Sequence, residues 1–204
     1  MLHRISSPKR IIAWIILICC AMTVNAQVEV SHSKNNRMIK LFGNGESAAV
    51  VVSPEDFITV KKAAQLLAGD MTATGAENAE AVITDSPESR HAVIAGTIGH
   101  SRLIDDMARR GKLDTNAVAG GYEQYMLSVI ENPVDGVEKA LVIAGSDRRG
   151  TAYGLLSISE SIGVSPWYWW ADIPVKEQKE VWVGGNYVSQ MPSIKYRGFF
   201  INDE

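Results

Sequence analysis

Between residues 48 and 163, short apolar runs alternate with stretches in which apolar residues recur every three or four positions. The run AAVVVS (48–53) is continuously apolar and rich in β-branched residues, the pattern of a buried strand. It leads into SPEDF, where Ser53 is placed to cap a helix and Pro54 suits the first helical position. Asp56 completes a capping-box pattern three residues on. Phe57, Val60, Ala64, Leu67 and Met71 then predict one apolar helix face, closed by Gly75. AVITD (81–85) and HAVIAGT (91–97) predict two short strands joined by a Ser-Pro turn, with a helix over 98–110 ended by Gly111. Tyr125, Leu127 and Val129 alternate with Gln124, Met126 and Ser128, and the ENPVDG turn (131–136) returns the chain to KALVIAG (139–145). That is an antiparallel hairpin. A third helix is expected over 148–162, with Ala152, Leu155, Leu156, Ser159 and Ile162 inward and Gly163 as a left-handed cap. The order predicts an α/β sandwich with a mixed sheet, without internal repeats.

Past Gly163 the texture changes. SPWYWWADIP (165–174) places Trp167, Tyr168, Trp169 and Trp170 in four consecutive positions. Read as extended chain, Trp167 and Trp169 face one side while Tyr168 and Trp170 face the other. A segment apolar on both faces suits a wedge between two packed bodies; a stacking platform for sugar rings is the alternative. A short strand, EVWVGG (180–185), follows, and then PSIKYRGFFINDE (192–204), strand-like over 194–201 and ending in Asn202, Asp203 and Glu204.

Composition changes this picture mainly at the start of the chain. Arg4, Lys9 and Arg10 precede the apolar run IIAWIILICCAM (11–22), and VNA (24–26) supplies small residues where a signal peptidase reads. A secretory signal peptide is expected over 1–26, cleaved between Ala26 and Gln27, and export to the periplasm or the extracellular space with it. The apolar run is short for a membrane span. Anchoring on Cys20 would need small residues before it, where Leu17, Ile18 and Cys19 stand. Cleavage would remove both cysteines, and with them any disulfide or thiolate metal site. Of the 204 residues 178 would remain, enough for one core, carrying 17 Lys+Arg against 23 Asp+Glu, a formal charge of −6. An acidic exported chain without a basic cluster argues against nucleic acid and anionic membranes as partners.

Spacing argues against several chemistries. GSDRRGTA (145–152) has the two glycines of a phosphate loop, but Thr151 and Ala152 stand where Lys and a magnesium-binding hydroxyl are needed. Asp147 as a helix cap accounts for the same residues. GTIGHS (96–101) lacks the dinucleotide pattern, and no G-x-S-x-G elbow occurs. His32, His91 and His100 have no partner at metal-ligand spacing, so no metal and no cofactor is expected. The terminal acids are the remaining candidates, as the carboxyl end of a first barrel strand or as a solvated acidic end. Asp203 and Glu204 are adjacent and would face opposite ways on a strand. They cannot alone supply the two facing carboxylates of glycoside hydrolysis.

The runs 145–183 and 192–204, with AGTIGHSRLID (95–105), resemble the amino-terminal portion of glycoside hydrolase family 115, the xylan α-glucuronidases. The resemblance implies inverting release of glucuronic acid, or its 4-O-methyl form, from α-1,2 linkages on glucuronoxylan. It also implies a multidomain, homodimeric enzyme whose α/β amino-terminal domain precedes a (β/α)8 catalytic barrel. On that reading 27–164 is the α/β domain, 165–192 the aromatic connection and 193–204 the start of a barrel not otherwise present, so that the chain alone is an inactive fragment. Asn202, Asp203 and Glu204 match the family's first barrel strand and are expected to line the sugar pocket, with Asp203 the candidate for a catalytic role. The other reading is a stand-alone carbohydrate-binding domain built on the aromatics of 167–170.

Overall fold

The structure, a computed structural model, describes residues 28–198. The expected signal peptide and Asn202, Asp203 and Glu204 lie outside the described residues.

Among the described residues, ten strands and three helices form a mixed α/β fold. The strands are β1 (Glu29–Ser31), β2 (Ile39–Gly43), β3 (Glu46–Ser47), β4 (Ala49–Val52), β5 (Ala81–Ile83), β6 (Ser89–Thr97), β7 (Tyr125–Glu131), β8 (Val137–Gly145), β9 (Glu180–Gly184) and β10 (Asn186–Val188). The helices are α1 (Ile58–Ala73), α2 (Arg102–Arg109) and α3 (Arg148–Ser161), with a single helical turn α4 (Tyr168–Ala171).

Six strands make the main sheet, in the order β10-β7-β8-β6-β4-β5. β4 pairs in parallel with β5 and β6, and β6 with β8, while β7 runs antiparallel to β8 with Glu131 opposite Lys139. The hairpin is thus the one expected from the alternation. Alternate residues of the parallel strands serve two cores. Val50, Val52, Val93, Ala95, Leu141 and Ile143 pack with Leu67, Met71 and Leu155 of α1 and α3. Val51, Ile94 and Val142 pack with Leu103, Ile104 and Met107 of α2 on the other face. Both faces are covered, which is why the strands read as unbroken apolar runs.

A second, antiparallel sheet has the order β1-β9-β2-β3. It closes the first core with Ile39, Leu41, Phe42, Val181 and Val183, all fully buried. β9 lies between β1 and β2, and β10 extends the main sheet beside β7. Part of the segment expected to be a connection is therefore strand in both sheets.

Five local expectations need correction. The first helix begins at Ile58, not Pro54, and its cap residue Phe57 makes no side-chain cap bond. Asp56 does not act as a capping-box residue, because its two carboxylate oxygens accept from Phe57 N at 2.7 Å and Thr97 N at 2.7 Å. The second helix begins at Arg102, after a turn in which Gly99 has φ +78° and Ser101 becomes the cap. On α3, Leu156 is 39% exposed and Ile158 takes the inward place, as a 3.6-residue period from Leu155 requires. Finally, residues 194–198 are not strand; the rest of the expected strand lies outside the described residues. Gly75, Gly111 and Gly163 do take the positive φ expected after their helices.

Candidate functional site

At the carboxyl edge of the main sheet, the loops after β4, β6 and β8 meet. α1 and α3 lie on one face and α2 on the other, and the crevice outside the carboxyl ends of such inner strands is where α/β folds bind ligands. Here it is filled from within. Thr97 and Thr151 hydroxyls pair at 3.0 Å, and the Thr151 hydroxyl also donates to Asp147 O. Burial pushes the Asp56 carboxyl above the ordinary carboxylate range, although two backbone N–H groups favour its charged form. A cavity of about 240 Å³ remains, lined by Phe57, Thr97, His100, Asp147 and Arg148, with the Phe57 and His100 rings 4.2 Å apart.

The loop 145–152 acts as a cap rather than a phosphate cradle. Asp147 Oδ1 accepts from Arg149 N at 2.9 Å and Gly150 N at 2.8 Å, so the protein's own carboxylate satisfies the helix terminus. Gly150 is required for a different reason: a Cβ there would lie 2.1 Å from Gln124 O. The loop 120–124 sits directly on the start of α3.

That loop holds a residue the sequence reading missed. Glu123 has φ +54° and a buried side chain, yet its carboxylate pairs with Arg149 Nη1 at 2.9 Å and with Arg197. Its backbone N–H donates to the second oxygen of Asp147 at 2.8 Å. Nothing in the local pattern YEQY marks a glutamate that turns inward, since its partners are 26 and 74 positions away.

The aromatic segment is not extended. Residues 168–171 form the helical turn α4, after which Asp172 takes a left-handed conformation. The expected alternation of faces therefore does not hold. Trp167 is 60% and Trp170 82% exposed. Beside them α1 and α3 form an open groove of about 410 Å³ lined by Leu66, Asp70, Tyr153, Leu156, Glu160 and Pro166. Burial raises the Asp70 carboxyl above its ordinary value. Among the described residues, which include His32, His91 and His100, no three His, Cys, Asp or Glu side chains gather as a ligand set.

Over 81% of its length the chain aligns, with 35% sequence identity and a TM-score of 0.65, to a solved structure described as a family GH115 4-O-methyl-alpha-glucuronidase, BtGH115A, with specificity for decorated arabinogalactans. This chain is related to family GH115. It spans about a fifth of that enzyme, 20% of its chain. A second solved structure, CpGH84D, aligns over 78% of this chain and 22% of its own at 10% identity and a TM-score of 0.42, too remote to carry an argument. No protein-family model and no curated protein matches the chain. The relationship to GH115 rests on fold and sequence together. It places the α/β domain, with its mixed sheet and three helices, beside a domain of a glycosidase.

Proposed function

We propose that this chain is the amino-terminal portion of an exported inverting glycoside hydrolase that removes glucuronic acid, or its 4-O-methyl form, from a plant polysaccharide. The observation that carries the reading is 35% identity to a GH115 glucuronidase over 81% of this chain, joined to coverage of only 20% of that enzyme. In the complete enzyme one carboxylic acid would protonate the leaving oxygen while a second carboxylate activates water on the opposite face of the sugar. Asn202, Asp203 and Glu204 are proposed as part of the sugar pocket, Asp203 with a catalytic role, and the second carboxylate as coming from sequence beyond this chain. No cofactor is required for such hydrolysis. Export follows from the expected signal peptide, and assembly of the complete enzyme as a homodimer is proposed from the family resemblance.

The related enzyme is described as specific for decorated arabinogalactans, whereas the family resemblance implies xylan, so the backbone polysaccharide is the feature to be assayed. The test compares uronic acid release from glucuronoxylan and from decorated arabinogalactan by this chain and by a longer polypeptide continuing past Glu204. Release by the longer protein only is expected. Turnover by the 204-residue chain at a full-length rate would overturn the assignment of catalysis to sequence outside it.

The exposed Trp167 and Trp170 favour one further reading, a stand-alone carbohydrate-binding domain. Glycan affinity that disappears when both become alanine would support it. Absence of affinity supports the alternative, in which the aromatic turn packs against the rest of a longer protein.

A further inference from the structure

We infer that Glu123 is a positioning residue: with Arg149 and Arg197 it forms a charge clamp that latches residues 189–198 onto the domain. Three observations lead to this. First, among the described residues, every hydrogen bond that 189–198 makes to the rest of the chain goes to residues 122–125. The Tyr122 hydroxyl donates to Pro192 O, Gln124 Nε2 to Ser189 O at 3.0 Å, and Tyr125 N to the Ser189 hydroxyl at 2.8 Å. Ser189 N returns a bond to Tyr125 O at 2.8 Å, and Arg197 reaches the Glu123 carboxylate.

Second, apolar burial cannot hold this strap down. Ile194 and Tyr196 lie mostly in solvent, and Lys195 stands over the rings of Tyr122 and of its exposed neighbour Tyr196, 5.9 and 5.8 Å from their centres. The hold is polar, concentrated in one short loop.

Third, the Glu123 side chain is only 5% exposed and stands on a left-handed backbone that a β-carbon makes unfavourable. A buried carboxylate is tolerated where cations and hydrogen bonds compensate it. The α3 terminus does not need it, because Asp147 already caps Arg149 N and Gly150 N. Glu123 instead joins a cation of α3 to a cation of the strap, and Asp147 holds its backbone in place. The start of α3, the loop and the strap are thereby one polar unit, and it sets the direction in which the chain leaves the domain. The use of that direction, delivery of 202–204 to a sugar pocket, rests on the proposed function; the latch itself does not.

Limited trypsin digestion of the 204-residue chain tests it, read by mass at the bond after Lys195. Glu123→Gln and Arg197→Gln should each speed that cleavage about tenfold or more, while the main thermal transition stays within a few degrees of the original. The double variant should be no faster than the faster single one, because both remove the same contact. Arg197→Gln changes only the strap side and decides the matter whether or not Glu123→Gln folds. Unchanged cleavage in Arg197→Gln, or single effects that simply multiply in the double variant, would overturn the clamp. Glucuronidase activity enters nowhere in this test, so failure of the latch and failure of the functional reading are separately visible.

Discussion

The two halves of the chain that follow α3 carry the same kind of residue to opposite fates. Trp170, on the isolated turn α4, is 82% exposed; Trp182, on β9, is 6% exposed. Both are indoles within thirteen positions of each other. The difference is that Trp182 stands on a strand with neighbours on each side. It is opposite Ser31 and Lys40, and the His91 ring lies 5.9 Å away. Residues 165–179 have no strand partner among the described residues. An aromatic side chain sets how much burial could contribute, and the strand pairing around it decides whether that contribution is realised.

The sharpest way to break this contrast is to attack the woven half. Val183 lies between β1 and β2, opposite Val30 and Ile39, with no exposed surface. Val183→Asp puts an uncompensated charge into the first core. It should cost roughly 4 kcal/mol or more, enough to abolish a cooperative urea transition. A folded variant with a normal midpoint would show that β9 is dispensable and that the whole of 165–192 is a linker after all.

A smaller effect is expected where the loop and helix meet. Asp147→Ala removes the acceptor for Arg149 N, Gly150 N and Glu123 N together. A cap is worth about 1 kcal/mol, and the third bond brings the expected loss to about 2 kcal/mol, seen as a lower urea midpoint at unchanged slope. A loss confined to a few tenths would mean that water replaces the carboxylate and that the loop is not tied to α3.

Much of this architecture was legible because both faces of the main sheet are covered. The runs at 48–53, 91–97 and 139–145 needed no partner to be recognised, and Asp147 declared itself by following one of them. β1, β3 and β10 were missed because two or three residues carry no period, and β2 because the partner that gives it and β1 their meaning, β9, lies about 150 positions away. Asp56 misled for a physical reason: an acid three residues after a serine fits a capping box, but Thr97 N, 41 residues on, competes successfully for it. Glu123 was invisible, since neither its backbone conformation nor its two arginines can be read from spacing. Of the candidate site, the expected pocket residues fall outside the described chain, so what the structure adds is the clamp and strap leading toward them.

On the exposed half, replacing both Trp167 and Trp170 by alanine should change stability by less than about 0.5 kcal/mol, because neither is buried. Binding of a hydrophobic dye should fall severalfold in the same variant, as the apolar surface contributed by α4 is lost. A stability loss comparable to that of Asp147→Ala would show that the turn is packed in solution, and the contrast with β9 would dissolve.

The finest test uses pH, where His91 and Asp56 act with opposite signs. Burial, aided by the Arg90 charge, holds the His91 imidazole below its ordinary 6.5; Lys139 acts with Arg90 and Glu138 against them. Its Nδ1 accepts from Lys40 N at 2.9 Å and so must be unprotonated, tying β6 to β2. Between the lowered value and 6.5 the folded protein binds fewer protons than the unfolded chain. Its contribution is therefore full above 6.5 and lost as the pH falls through that window. Asp56 is raised from 3.8 by burial, so the folded protein binds more protons than the unfolded chain between 3.8 and the raised value. Stability is gained there as the pH falls. His91→Gln keeps an acceptor for Lys40 N but cannot titrate, and should remove only the near-neutral slope of stability against pH. Asp56→Asn should remove only the acid one. If the glutamine variant keeps the slope below 6.5, the join between the two sheets is not pH-sensitive at His91, and the near-neutral slope belongs to another group.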